Sequence, residues 1–239
     1  MTGSFQAAAG RSSAPRRGRY GPAAMTAYDL PPERLERWLE RWAEQHGGVA
    51  RTDSEAAAVT FTAPDGATVR CEPPFPPLDP ASAPGDAPFA ALLAHVRRPR
   101  TVGVVLVRLG GYAVGIFEGR DLRASKVGSR LVHGRHRAGG SSANRFARRR
   151  QNQARSALDA AAETSVAILA EPARAGALDA VVRGGDCRAL VEVFEDPRLA
   201  GVERLAVERI IAVPDPRLKV LRGTPDQFLA TRVVPADPA

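Results

Sequence analysis

The stretch from Thr101 to Glu118, TVGVVLVRLGGYAVGIFE, decides the fold class of this chain. Its first half is rich in β-branched residues, Gly110-Gly111 is a dipeptide typical of hairpin turns, and its second half is again apolar. The pattern predicts two antiparallel strands, over 101–109 and 112–118. A third strand is predicted over 121–132, where it runs directly into a basic segment.

Beyond the basic segment the sequence predicts alternating helices and strands. A helix over 143–164 has its apolar stripe at Ala147, Ala154, Leu158, Ala161 and Ala162, with the arginines outside. The predicted elements after it are a strand at 165–170, a helix at about 174–182, a strand at 189–194, a helix at 197–205 and a strand at 208–213. Antiparallel strands followed by such alternation predict an α/β domain, in which helices pack on a mixed β-sheet.

Upstream lies a small N-terminal α+β region. Pro31-Pro32 opens an amphipathic helix that carries Leu35, Trp38, Leu39 and Trp42 on one face and ends at Gly47. Three short strands are predicted at 49–52, 57–62 and 68–71, with Pro64-Asp65-Gly66 as the turn between the last two. A proline-rich segment, 72–88, follows them and predicts a linker or an extended surface strap.

These patterns divide the chain into four parts. The predicted division is a disordered basic tail over 1–28, the α+β region with its linker over 29–88, the main domain over 89–214 and a C-terminal extension over 215–239. The tail is an alternative candidate for an RNA-binding arm, and either Met1 or Met25 is the predicted start of the protein.

Composition excludes several classes of protein. The chain has 239 residues and is 44% hydrophobic, which suffices for a good core, but it has no apolar run of the roughly 20 residues that a membrane span needs. No signal peptide is visible, so a cytoplasmic protein is predicted. Cys71 and Cys187 are isolated and are expected to be buried small residues, and we expect no metal and no small-molecule cofactor.

The basic segment concentrates the positive charge of the whole protein. Between Leu122 and Leu158 there is no Asp or Glu, and ten Lys and Arg residues stand there, against a net charge of +8 for the entire chain. A solvated helix face, or a habit of Arg usage in a chain with only two lysines, is the alternative to a ligand. The local excess favours nucleic-acid phosphate. The predicted RNA-binding residues are His133, Arg135, His136, Arg137, Arg145, Arg148, Arg149 and Arg155.

The order of motifs in this segment resembles a known family. A hairpin and a third strand lead into a His-Gly-rich loop with Gly139-Gly140, and an Arg-rich helix beginning Arg145-Phe146-Ala147-Arg148 follows. This resembles the catalytic middle domain of archaeo-eukaryotic class I peptide-chain release factors and, more closely, the actinobacterial Vms-like release-factor family of peptidyl-tRNA hydrolases. The similarity covers about 99–214. It implies a release-factor middle-domain-like fold and a ribosome-associated hydrolase that acts on peptidyl-tRNA of stalled large subunits, in ribosome quality control.

The sequence departs from these families at the residues that carry the chemistry. Release factors have Gln directly after the glycine pair and the Vms-like relatives have a Gln slightly later, whereas this chain has Ser141, Ser142, Ala143 and Asn144. Backbone N–H groups beside a glycine pair can stabilise an ester oxyanion, and a small polar side chain can hold the attacking water. The candidate catalytic residues are therefore Gly139, Gly140, Ser141, Ser142 and Asn144.

Three alternatives stay open at this point. His133 and His136 are possible general bases, although histidines in a basic loop more often contact RNA. The bond cut is either the aminoacyl ester or a phosphodiester near the tRNA acceptor end. A chain without the loop Gln can also be a tRNA- and ribosome-binding module that has lost catalysis. A metal nuclease is disfavoured, because the basic segment has no carboxylates to hold Mg²⁺.

Overall fold

The computed structural model describes residues 27–78, 87–108, 111–129 and 155–237. The strands are β1 (Tyr28–Leu30), β2 (Arg51–Ser54), β3 (Val59–Thr62), β4 (Thr68–Glu72), β5 (Thr101–Arg108), β6 (Gly111–Glu118), β7 (Asp121–Ser129), β8 (Ala180–Gly185), β9 (Ala206–Ile211) and β10 (Thr231–Ala236). In these residues they form two five-stranded sheets, with the orders β1-β10-β4-β3-β2 and β7-β6-β5-β8-β9.

The helices pack on these two sheets. They are α1 (Pro32–His46), α2 (Ala90–Arg97), α3 from 155 to Arg174, α4 (Cys187–Phe194), α5 (Ala200–Glu203), α6 (Leu218–Arg222) and α7 (Pro225–Phe228). A short 3₁₀ turn, Pro197–Leu199, precedes α5, and Val166–Ala170 of α3 is π-helical. None of the described helices is long and apolar enough to cross a membrane.

The first sheet is antiparallel throughout and packs against α1 and α2. Helix α1 forms as predicted because Leu35, Leu39 and Trp42 recur at helical spacing and are all buried, while Trp38 is half-buried. Gly47 ends the helix in the left-handed conformation, with φ of 80°.

The second sheet is mixed, which confirms the predicted fold class. Strands β5, β6 and β7 are antiparallel neighbours, whereas β8 and β9 run parallel to β5. Helices α3 and α4 bury one face of this sheet, and α6 and α7 bury the other. The hairpin that decided the class therefore lies at the centre of the main domain, and β7 at its edge.

The predicted elements between 165 and 194 are wrong in type. The run 165–170 continues helix α3 instead of forming a strand, 180–185 is strand β8 instead of helix, and 189–194 belongs to helix α4 instead of a strand. A short apolar run does not by itself distinguish a strand from a buried helix. The spacing of Leu190, Val193 and Phe194, all buried, was the helical signal for α4.

The predicted boundaries elsewhere are close to the observed ones. Strand β7 is described as far as Ser129, and the predicted residues 130–132 of this strand and 143–154 of the helix lie outside the described residues. In the predicted C-terminal extension, 215–239, the described part contains α6, α7 and β10. Strand β10 pairs with both β1 and β4 and so completes the first sheet.

Candidate functional site

Most of the predicted site residues lie outside the described residues. Arg155 is the exception, and it is exposed at the first described position of α3. The predictions outside the described residues are those for Gly139, Gly140, Ser141, Ser142, Asn144, His133, Arg135, His136, Arg137, Arg145, Arg148 and Arg149. What the structure gives is the frame on which segment 130–154 begins and ends.

Four strands end together at the place where this segment leaves the sheet. Arg108 of β5 lies opposite Gly111, which in turn lies opposite Ser129 at the end of β7. Strands β8 and β9 run parallel to β5 and end at the same side. We call this side of the mixed sheet the carboxyl edge. Ligands of α/β proteins commonly bind beyond the carboxyl ends of parallel strands.

Tyr112 ties the end of β7 to helix α3. Its ring lies so close to Gly128 that a β-carbon at position 128 would be 2.3 Å from it. The buried hydroxyl of Thr164 donates a hydrogen bond to the Tyr112 hydroxyl at 3.2 Å. The two ends of segment 130–154 are thus attached to a packed frame, because the residue before Ser129 and the helix after the segment both contact this side chain.

A groove of about 980 Å³ runs between α3 and α4 and opens at the carboxyl edge. The charged residues that line it are Arg108, Arg155, Asp159, Glu163, Asp186, Arg188, Glu192, Glu195 and Asp196. Each helix presents its arginine first and its carboxylates one or more turns later, so positive charge stands nearest to segment 130–154. Among these carboxylates, Glu163 and Asp196 pair with Arg198, and the pKa of Asp196 is held below its usual value mainly by its hydrogen bond from Arg198.

Arg108 and the start of α4 are held close together at the carboxyl edge. The guanidinium of Arg108 donates a hydrogen bond from Nη1 to the carbonyl of Val213 at 2.8 Å. Gly185 has φ of +105°, and a β-carbon there would lie 2.1 Å from the carbonyl oxygen of Val107. Only glycine fits this approach. Asp186 then caps α4 by accepting hydrogen bonds from the amides of Arg188 and Ala189.

The exposed edge strand β7 supplies two further cations, which differ in their pairing. Arg123 donates a hydrogen bond to Glu118 at 2.8 Å, so its charge is already matched. Lys126 makes no ion pair within the described residues. Of the ten basic residues counted in the sequence, Lys126 and Arg155 are thus the two described ones that remain available to an anion.

The described residues offer no site for a metal ion. No group of three metal-ligating side chains occurs among residues 27–78, 87–108, 111–129 and 155–237. Cys71 is buried as predicted, and burial raises the pKa of its thiol to about 12. Cys187 is exposed at the start of α4, so the prediction of two buried cysteines is wrong for this one.

Sequence analysis missed the arginines that the fold brings to the carboxyl edge. Arg108 ends a predicted strand, and the pattern Gly184-Gly185-Asp186 before Arg188 is the signal of a strand end followed by a helix cap. The prediction of a strand at 189–194 hid that signal. Arg108 and Arg188 became candidates only when β8 was found beside β5.

Comparison with solved structures gives weak overall similarity. The crystal structure of the archaeal translation termination factor aRF1 is similar with a TM-score of 0.40 and 15% identity, over 84% of this chain and 64% of that one. A second structure, described as an archaeal protein, has a TM-score of 0.39 and 13% identity, over 87% of this chain and 68% of that one. The chain thus spans less than two thirds of the archaeal factor. No curated protein matches the sequence.

The comparison with protein families is decisive. The model described as Actinobacteria/chloroflexi VLRF1 release factor matches residues 100–234. This range is more than half of the chain, and it includes β5 to β9 and most of β10, helices α3 to α7 and the whole of segment 130–154. The chain therefore belongs to the actinobacterial and chloroflexi VLRF1 release-factor family.

Proposed function

We propose that this protein is a ribosome-associated hydrolase that cuts peptidyl-tRNA on stalled large subunits, as part of ribosome rescue and quality control in the cytoplasm. The observation that carries the proposal is the family match over 100–234, because it contains the glycine pair and the arginines of segment 130–154. The frame supports it, since the segment begins and ends on a packed edge.

The proposed reaction is hydrolysis of the ester between the nascent peptide and the terminal ribose of tRNA. Water attacks the ester carbonyl, the carbonyl oxygen gains negative charge, and the bond to the ribose oxygen breaks as that oxygen takes up a proton. Backbone N–H groups at Gly139 and Gly140 would stabilise the oxyanion. Ser141, Ser142 or Asn144 would hold the water in place of the missing Gln.

The proposed RNA contacts are those of the basic segment. Arg145, Arg148, Arg149 and Arg155, together with Arg135, Arg137, His133 and His136, would meet the phosphates of the acceptor end and of ribosomal RNA. Arg155 is exposed at the mouth of the groove, where such a contact is sterically free. Because each neutralised phosphate releases counterions, binding should weaken steeply as salt concentration rises.

The direct experiment is a single-turnover assay with ribosome-bound peptidyl-tRNA. Purified protein should release the peptide and leave a tRNA whose 3′ end is intact, if the ester is cut. A tRNA shortened at its 3′ end would instead identify cleavage of a phosphodiester. If neither product forms while the ribosomes remain competent for release by puromycin, the hydrolase proposal fails.

A second candidate function is a binding module that retains the grip on tRNA and ribosome without catalysis. The observation that favours it is the absence of Gln from the interval Ser141 to Asn144. The two functions agree on binding and differ only in turnover. Variants with Gln at position 141, 142 or 143 separate them: activity that appears only in such a variant supports the binding module, and activity in the native chain supports the enzyme.

A further inference from the structure

A second groove lies at the opposite side of the mixed sheet, where β5, β8 and β9 begin. It has a volume of about 870 Å³, and its walls come from both sheets' surroundings: Phe75, Pro76 and His95 on one side, Asp179 and 204–208 on the other. We call it the amino-edge groove. Clefts between two packed units are common places for ligands.

Arg100 is fixed in the wall of this groove. Its Nη1 donates hydrogen bonds to the carbonyls of His95 at 2.8 Å and of Arg98 at 3.2 Å, and its guanidinium lies 5.2 Å from the centre of the Phe75 ring. Its Nη2 is 3.2 Å from Nε2 of the buried His95. The side chain is therefore held in one place before any ligand arrives.

Positive charge in the amino-edge groove exceeds what the protein itself neutralises. Arg98, Arg100 and Arg204 line it, and none of the three makes an ion pair within the described residues. Of the two lining carboxylates, Asp179 is already occupied, since its Oδ2 accepts a hydrogen bond from the amide of Thr101 at 2.7 Å. Glu208 is left to face three guanidiniums.

The electrostatic consequence is visible in the neighbouring groups. Burial lowers the pKa of Arg100, and the charge of Arg98 lowers it further. Burial also lowers the pKa of His95, and the charges of Arg100 and Arg98 act in the same direction. Cations brought this close without carboxylates repel one another, and a bound anion would remove that cost.

We infer that the amino-edge groove binds phosphates of an RNA backbone through Arg98, Arg100 and Arg204. Three arginines on separate elements suit a chain of phosphodiesters, which offers successive charges, better than a single carboxylate. Arginine is also the side chain best shaped for phosphate. The inference rests on the proposed function for the source of the RNA, which on a ribosome is ribosomal RNA or the body of the tRNA.

The position of the groove gives the contact a purpose. The eight residues of β5 separate it from the carboxyl edge by roughly 23 Å, at about 3.3 Å per residue. One contact at the carboxyl edge would leave the domain free to rotate about it. A second contact at this distance fixes the orientation, and linked contacts strengthen binding beyond either alone.

The test compares two double variants that each remove two positive charges. Arg98→Gln with Arg204→Gln changes the groove, while Arg100 is kept because it holds backbone carbonyls. Arg37→Gln with Arg41→Gln is the matched control, since both are exposed on α1 and make no ion pair within the described residues. Binding to purified large ribosomal subunits is measured over a range of salt concentrations for both variants and the native protein.

The groove variant should reduce the slope of log affinity against log salt by about 1.4 to 1.8, the loss of two phosphate contacts, and the control should leave the slope nearly unchanged. Equal slopes for groove variant and control would overturn the inference. So would a groove that binds inorganic phosphate, followed by chemical shifts, while the groove variant binds ribosomal subunits normally. Peptide release by the native protein decides the proposed function separately.

Discussion

The carboxyl edge and the amino edge of the mixed sheet both carry three arginines, but in opposite surroundings. At the carboxyl edge Arg108, Arg155 and Arg188 share their groove with six carboxylates. At the amino edge Arg98, Arg100 and Arg204 share theirs with two, one of which is already occupied. The packed frame is thus rich in acid exactly where the sequence that follows β7 is richest in base.

This difference separates two ways of presenting positive charge. At the carboxyl edge most of the charge belongs to segment 130–154, which has seven arginines and no acid, and the frame adds little net charge of its own. At the amino edge the frame itself holds the cations in fixed places. We therefore expect changes in the segment to alter chemistry, and changes at the amino edge to alter only affinity and stability.

The largest expected effect comes from the segment. Gly140→Ala should reduce single-turnover peptide release by about 100-fold, because a β-carbon would displace the backbone from the reacting ester by a fraction of an ångström to an ångström. Ribosome affinity and the unfolding temperature should stay near those of the native protein. Gly201→Ala is the matched control, since its β-carbon would meet nothing closer than 3.7 Å. Normal release by Gly140→Ala would make the glycine pair a structural turn.

An intermediate effect is expected from the frame of the carboxyl edge. Gly185→Ala should lower the free energy of unfolding by about 1–3 kcal/mol, because its β-carbon would lie 2.1 Å from a backbone oxygen at a φ that side chains avoid. Urea denaturation of this variant and of Gly201→Ala measures the difference. A native-like stability for Gly185→Ala would show that β8 and α4 can move apart from β5, and that the edge is less fixed than described.

The smallest effect is expected at the amino edge and depends on pH. Burial, with the nearby charges of Arg100 and Arg98, holds the pKa of His95 below its ordinary value of 6.5. Below pH 6.5 the unfolded chain takes up a proton that the folded protein resists, so stability contributed by His95 is full above this pH and is lost as the pH falls. The slope should stay below about 1.4 kcal/mol per pH unit, the limit for one proton.

This dependence is measured as the difference between the native protein and His95→Gln. Unfolding curves between pH 5 and 8 should converge at low pH, because only the native protein loses this contribution there. A difference that is constant across the range would mean that His95 titrates alike in the folded and unfolded chains. The repulsion within the amino-edge groove would then be weaker than the geometry implies.

Local pattern alone determined much of this protein. The β-branched runs around Gly110-Gly111 specified the central hairpin, and the helical spacing of Leu35, Leu39 and Trp42 specified α1. The family was recognised from the order of motifs after β7, and the match over 100–234 confirms it. Such features involve residues close in sequence, whose preferences reinforce one another without help from the rest of the chain.

Only the tertiary structure decided the features that join distant residues. Strand β10 enters the first sheet between β1 and β4, although about 200 residues separate it from β1. Residues 180–185 became a strand because a parallel place beside β5 was open to them, and the apolar run before them was absorbed into α3. Arg98, Arg100 and Arg204 met at the amino edge for the same reason. Pairing and burial across long sequence separations override weak local preferences, and a single sequence does not display those partners.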